Sequence, residues 1–222
     1  MPEYKIKVHN KSTIPQTYIL FASTPVVEGP TSTKIFANIF MVSKTVQYPS
    51  GHADFKVKST PYAVCGTSPN AIAIGTSVST GDSVPIRLGN PTIPSQGSKI
   101  PITVDAEHTP KLESELIQDV VKNGYTFTTG EYLMPDPSHM FLGFGGEDST
   151  GEVVPLATFP MLPNQTYNVT PVVKYYIGTG SFSAGEIIDV QQIGPVILID
   201  FTTGPVTADI TQNADMKYVR NS

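Results

Sequence analysis

Apolar and polar residues alternate along Tyr4-Lys5-Ile6-Lys7-Val8-His9, a period of two that turns one side of a strand to a core and the other to water. Asn10-Lys11-Ser12 supplies turn residues after it, and Gln16 to Ala22 reads as a second strand. The turn Tyr48-Pro49-Ser50-Gly51 precedes a second clear alternation, Ala53-Asp54-Phe55-Lys56-Val57-Lys58. Pro25 to Thr33 reads as a loop. Lys34 to Val42 is mostly apolar, and periodicity alone does not decide its type. Strand-like runs continue at Tyr62–Cys65, Ala71–Val78, Ser83–Leu88 and Lys99–Val104. They resume at Tyr125–Thr129, Met140–Phe144, Val153–Thr158, Thr166–Ile177, Glu186–Val190 and Val196–Thr202. The final dozen residues form either a last strand or a frayed end.

Pro110 to Gly124 breaks this pattern. Leu112, Leu116 and Val120 are spaced by four, as are Glu113, Ile117 and Val121, and the run begins at a proline and stops at Asn123-Gly124. That spacing predicts a short helix or linker there, with a strand excursion as the alternative. The fold class is therefore all-β, mainly antiparallel and sandwich-like, with at most one short helix near 110–123.

The stretches on either side of that linker resemble each other. Thr60-Pro61 matches Thr170-Pro171, Gly75 matches Gly185, Pro85 matches Pro195 and Leu88 matches Leu198, all 110 positions apart. Upstream the offset drifts: Phe55 and Val57 resemble Tyr167 and Val169, and Tyr4-Lys5-Ile6 resembles Tyr125-Thr126-Phe127. Matched Gly and Pro imply matched turns, and matched apolar positions imply matched core faces. Two related β units are expected, 1–106 and 125–222, joined by 107–124. They form either tandem sandwiches or one pseudo-symmetric sandwich.

Composition narrows the function classes. Of 222 residues 15% are charged, against a typical ~25%. The 18 Gly and 20 Pro suit many turns rather than disorder, because apolar positions recur in register along the chain. The formal net charge is −5 and no basic patch stands out, so neither nucleic acid nor an anionic membrane is an expected partner. Lys5 and Lys7 read as the solvated face of an edge strand. One cysteine, Cys65, excludes an intrachain disulfide. The N-terminal residues lack an apolar signal core and no run of ~18 apolar residues occurs. The expected location is cytoplasmic, or outside the cell by a route without a classical signal peptide.

Candidate chemistry is sparse. His9, His52, His108 and His139 show no ligand spacing, and one cysteine gives no zinc pattern. Cys65, at the end of an apolar run, reads as a small buried hydrophobe. Gly143-Phe144-Gly145-Gly146 is followed by Glu147-Asp148, which would repel a phosphate. The acidic, turn-rich segment Gly130 to Glu152 is the most site-like. Asp136, His139 and Glu147 are its acid–base candidates, and Glu147 with Asp148 its calcium ligands. Tyr167, Tyr175 and Tyr176 are the ligand-binding candidates, through stacking on sugars or partner side chains. No cofactor is expected, calcium excepted. A non-enzymatic protein that binds a protein or carbohydrate, lectin-like or self-associating, fits this poverty of chemistry best. The alternatives are an enzyme or ligand carrier with a pocket between the two β units, and a calcium-dependent adhesion module.

Overall fold

The computed structural model describes residues 3–30, 34–92, 96–113, 116–119, 121–132 and 139–221, with backbone alone at 116–119. The strands are β1 (Glu3–Asn10), β2 (Tyr18–Ala22), β3 (Val26–Glu28), β4 (Phe36–Val42), β5 (His52–Lys58), β6 (Tyr62–Thr67) and β7 (Asp82–Pro85). Next come β8 (Gly97–Val104), β9 (Pro110–Leu112), β10 (Leu116–Asp119), β11 (Tyr125–Thr129), β12 (Met140–Glu147) and β13 (Val153–Pro160). The last are β14 (Thr166–Thr170), β15 (Lys174–Thr179), β16 (Ile187–Ile188), β17 (Ile197–Asp200), β18 (Thr207–Gln212) and β19 (Tyr218–Arg220).

A central sheet runs β17-β15-β2-β4-β13-β12-β6-β7, with β16 added on β4. Two smaller sheets pack on one side of it. One has the order β19-β18-β1-β5, the other β10-β8-β11-β14-β3 with β9 on β8. Every sheet takes strands from both 1–106 and 125–222. The fold is all-β and sandwich-like, as the alternating strands predict.

Sheet position explains the two kinds of sequence pattern. The middle strands of the central sheet are covered on both faces, so β2 is buried throughout and β4 up to its last residue. A strand buried on both sides reads as a continuous apolar run, and this decides the type of the ambiguous 34–42 stretch. Outer-sheet strands have one wet face; β5 alternates exposed and buried without a break.

Two main cores lie between the layers. The first gathers Ile6, Val8, Leu20, Phe40, Phe55 and Ile210 under the four-stranded sheet. The second gathers Ile100, Tyr125, Phe127, Leu142, Phe159 and Tyr167 under the other. Across each ladder the strand partners are alike. β1 runs antiparallel to β5 and parallel to β18; β11 runs antiparallel to β14 and parallel to β8. The opposite side of the central sheet is closed by the loop side chains Ile72 and Val78 at one end and by Ile188 of β16 with Ile193 at the other.

Four expectations need correction. The helix near 110–123 is absent: Pro110–Leu112 and Leu116–Asp119 are strands on β8, with Ile102 opposite Leu112 and Lys99 opposite Leu116. Ladder bonds to a neighbour outweigh a spacing worth a few tenths of a kcal/mol per pair. The loop at 25–33 contains β3, which pairs with β14. Ala71–Val78 is not a strand; it is a loop with the isolated Ser77–Glu186 bridge, and its Ile72 and Val78 serve as a plug while Ile74 is exposed. β1 is not an edge strand, because β18 and β5 flank it. Lys5 and Lys7 nevertheless stay on its wet face, Lys7 3.7 Å from Asp54.

Candidate functional site

A cavity of about 200 Å³ opens where the two main cores meet. Tyr4, Val57, Leu156 and Tyr175 reach it from the first core, Ile86 from the second, and Phe144 packs against both. Five different strands and the end of β7 thus converge on one space, each contributing a residue on its core-facing side. Tyr4 stacks on Phe201 at 4.8 Å between ring centroids and lies 6.3 Å from Tyr175, so one wall is aromatic. Burial pushes the Tyr175 phenol up from its ordinary range, keeping it neutral. Pro61 and Pro171 line the cavity from separate segments, and the exposed Lys58 with the half-buried Ser59 and Thr60 marks its mouth.

Beside the mouth, Glu147 at the end of β12 accepts a hydrogen bond from the Tyr62 hydroxyl at 2.5 Å and pairs with the Lys58 ammonium. Those two donors hold the Glu147 carboxyl below the usual carboxylate range, and the same hydrogen bond raises the Tyr62 phenol. The group is a fixed anion tying β5, β6 and β12 together rather than a proton donor at neutral pH.

The other candidates do not gather here. His139 precedes β12 at the end away from Glu147, about 27 Å off along an extended strand. Its Nδ1 lies 2.9 Å from the Ser68 carbonyl, which binds it to the neighbouring loop. Asp136 lies outside the described residues. Asp148 is occupied by its own hairpin: its carboxylate accepts from Thr150 N at 2.8 Å, Thr150 Oγ1 at 2.7 Å and Glu152 N at 3.0 Å. Among the described residues, no three His, Cys, Asp or Glu side chains gather as metal ligands. Tyr167 is fully buried, its hydroxyl accepting from Leu162 N at 2.9 Å. Tyr176 turns to the far side of the sheet and stacks on Phe21 at 5.2 Å. Tyr175 alone of the three reaches the cavity. Gly143, Gly145 and Gly146 are strand residues of β12. Cys65 is fully buried and its thiol is pushed up to about 12, chiefly by burial, so it carries no thiolate at neutral pH.

Tyr4, Val57, Phe144 and Leu156 carry no chemical signature, and only the tertiary arrangement makes them neighbours. The matched pair Thr60-Pro61 and Thr170-Pro171, read in the sequence as a sign of duplication, contributes both its prolines to the lining. The family model described as RhiA matches residues 1–221. The chain belongs to the RhiA family. No curated protein and no solved structure matches this RhiA-family chain.

Proposed function

We propose that the chain is a non-catalytic binding protein made of two related β units, and that it holds a small apolar molecule where their cores meet. The observation that carries this reading is the convergence of both cores on one aromatic-walled space. Its volume of about 200 Å³ exceeds the ~150 Å³ of an apolar cavity that takes up benzene. It falls short of the ~300–1,000 Å³ typical of drug-sized ligands. A single-ring or short-chain molecule fits, with any polar end toward Lys58, Ser59 and Thr60. The surroundings argue against catalysis: the nearest carboxylate, Glu147, is fixed by two donors, and His139 is remote.

The relation between the units supports the placement. Tyr4 lies opposite Val57 and Ile6 opposite Phe55; Tyr125 lies opposite Val169 and Phe127 opposite Tyr167. Segments that resemble each other at two different offsets thus become ladder partners in the same order. The central sheet is symmetric in role about its β4–β13 pairing, with β2 and β12, then β15 and β6, then β17 and β7 on either side. Each unit gives its late strand to the other's outer sheet, β18 to β1 and β8 to β11.

A thermal-shift screen against small aromatic and short aliphatic compounds tests the proposal. Ligand at 100 times its Kd stabilises by about 2.7 kcal/mol, which moves Tm by roughly 5–10 °C in a chain of this size. Val172→Trp, at the half-buried cavity wall, must abolish the shift, while Val219→Trp, at an exposed site on β19 outside the cavity lining, must not. Hits that survive Val172→Trp, or no hit at all, would overturn it.

A further inference from the structure

Among the described residues, the strand at one end of the central sheet has no neighbour on its outer side. β17 follows Pro195-Val196 and reads Ile197-Leu198-Ile199-Asp200, with β15 as its neighbour on one side only. Exposed strand edges are ordinarily guarded by lysine, proline, short length or a covering segment. The edges formed by β5, β7, β3 and β19 follow that rule. β5 carries Lys56 and Lys58 on its wet face. β7 contains Pro85, and its Asp82 carboxylate accepts from Leu112 N of β9 at 2.9 Å. β3 and β19 are three residues each and carry Glu28 and Arg220. β17, four residues long, carries no lysine or proline, and no described strand covers its outer side. Its one charge, Asp200, accepts from Thr202 N at 2.8 Å and pairs with Lys174 on β15 at 3.0 Å.

The backbone of β17 is aimed outward at alternate residues. Phe201 N donates to Val173 O at 3.1 Å, and Phe201 and Val173 continue the register in which Ile199 faces Tyr175 and Ile197 faces Ile177. Those odd-numbered residues bond inward, so Leu198 and Asp200 present N–H and C=O to the open side. The Leu198 side chain is 46% exposed.

We infer that β17 pairs with β17 of a second copy of this chain, antiparallel and centred on Leu198, joining two central sheets edge to edge. A two-fold contact must be self-complementary, and this strand is. With Leu198 opposite Leu198 of the partner, Ile197 faces Ile199 and Val196 faces Asp200, each residue staying on its own side of the sheet. The two Leu198 side chains cover each other, and the two residues exchange both backbone bonds. An apolar edge without a free charge favours this occupant over a charged peptide.

Sedimentation of the full chain over a concentration series tests the inference. The expected result is a dimer, converted to monomer by Leu198→Lys with unchanged circular dichroism and unaffected by Val219→Lys, a substitution at a similarly exposed apolar site on β19. A second measurement stands even if Leu198→Lys misfolds. Paired residues in this register have Cα atoms ~5.5 Å apart, within disulfide range, so Leu198→Cys oxidised with diamide must give a covalent dimer while the wild type, whose Cys65 is buried, does not. A monomer at every concentration, or a dimer that neither Leu198→Lys splits nor Leu198→Cys cross-links, would refute the contact.

Discussion

Ile210 tests whether the late strand of the chain completes the first core. It lies on β18, opposite Val8 in the parallel ladder, and is fully buried. Ile210→Ala removes three carbons from that core. At about 0.8 kcal/mol each the transfer loss is about 2.4 kcal/mol. A cavity that relaxes only in part brings the total to roughly 2–5 kcal/mol. For a chain of this length each kcal/mol lowers Tm by about 2–4 °C, so a mid-range loss of about 3.5 kcal/mol corresponds to a fall of about 7–14 °C. Urea unfolding followed by far-ultraviolet circular dichroism would show the midpoint falling at unchanged slope. Val219→Ala on β19 is the control: the side chain is 53% exposed, and such changes stay within about 0.5 kcal/mol. If Ile210→Ala is as mild as Val219→Ala, β18 is not part of the core and the exchange of strands between the units is wrong.

Three further outcomes are expected. Gly75 and Gly185 both have positive φ, 85° and 82°, yet a Cβ at 75 would meet open space while one at 185 would overlap the Val78 carbonyl oxygen. Gly75→Ala therefore costs about 1–2 kcal/mol and Gly185→Ala clearly more, and equal urea midpoints for the two would contradict this. Hydrogen bonds from Thr202 and the Lys174 ammonium hold the Asp200 carboxyl at about 2, against an ordinary 3.8. A depressed carboxyl stabilises fully above its unfolded value and loses that contribution as pH falls toward the folded one. The gap between wild type and Asp200→Asn must therefore shrink on acidification between about pH 4 and 2, measured by urea midpoints. Cys65 must resist a thiol reagent in the native protein and react at the rate of unfolding; rapid native labelling would place it at the surface.

Legibility in the sequence followed burial. Strands with one wet face announce themselves by alternation, as in Tyr4–His9 and Ala53–Lys58, and β1 and β5 stand where that pattern places them. Strands covered on both faces lose the alternation, so 34–42 could not be typed before its neighbours were known. The helical spacing at 112–120 misled because short strands at a sheet margin are stabilised by their partner, here β8, and not by their own periodicity. The cavity was the least legible feature. Its lining residues are ordinary core types whose meeting depends on strand order, and of the tyrosines with binding potential Tyr167 became core and Tyr176 faced the other way. Adjacent Tyr175 and Tyr176 did divide between the two faces of their strand, as period-two geometry requires.

The most direct test of ligand binding at the junction is isothermal titration of the strongest thermal-shift hit into wild type, Val172→Trp and Val219→Trp. Saturable binding with one site per chain, retained in Val219→Trp and lost in Val172→Trp, is the predicted result. Equal affinity in all three proteins would place the ligand elsewhere and contradict the assignment of the cavity between Tyr4, Phe144 and Tyr175 as the binding site.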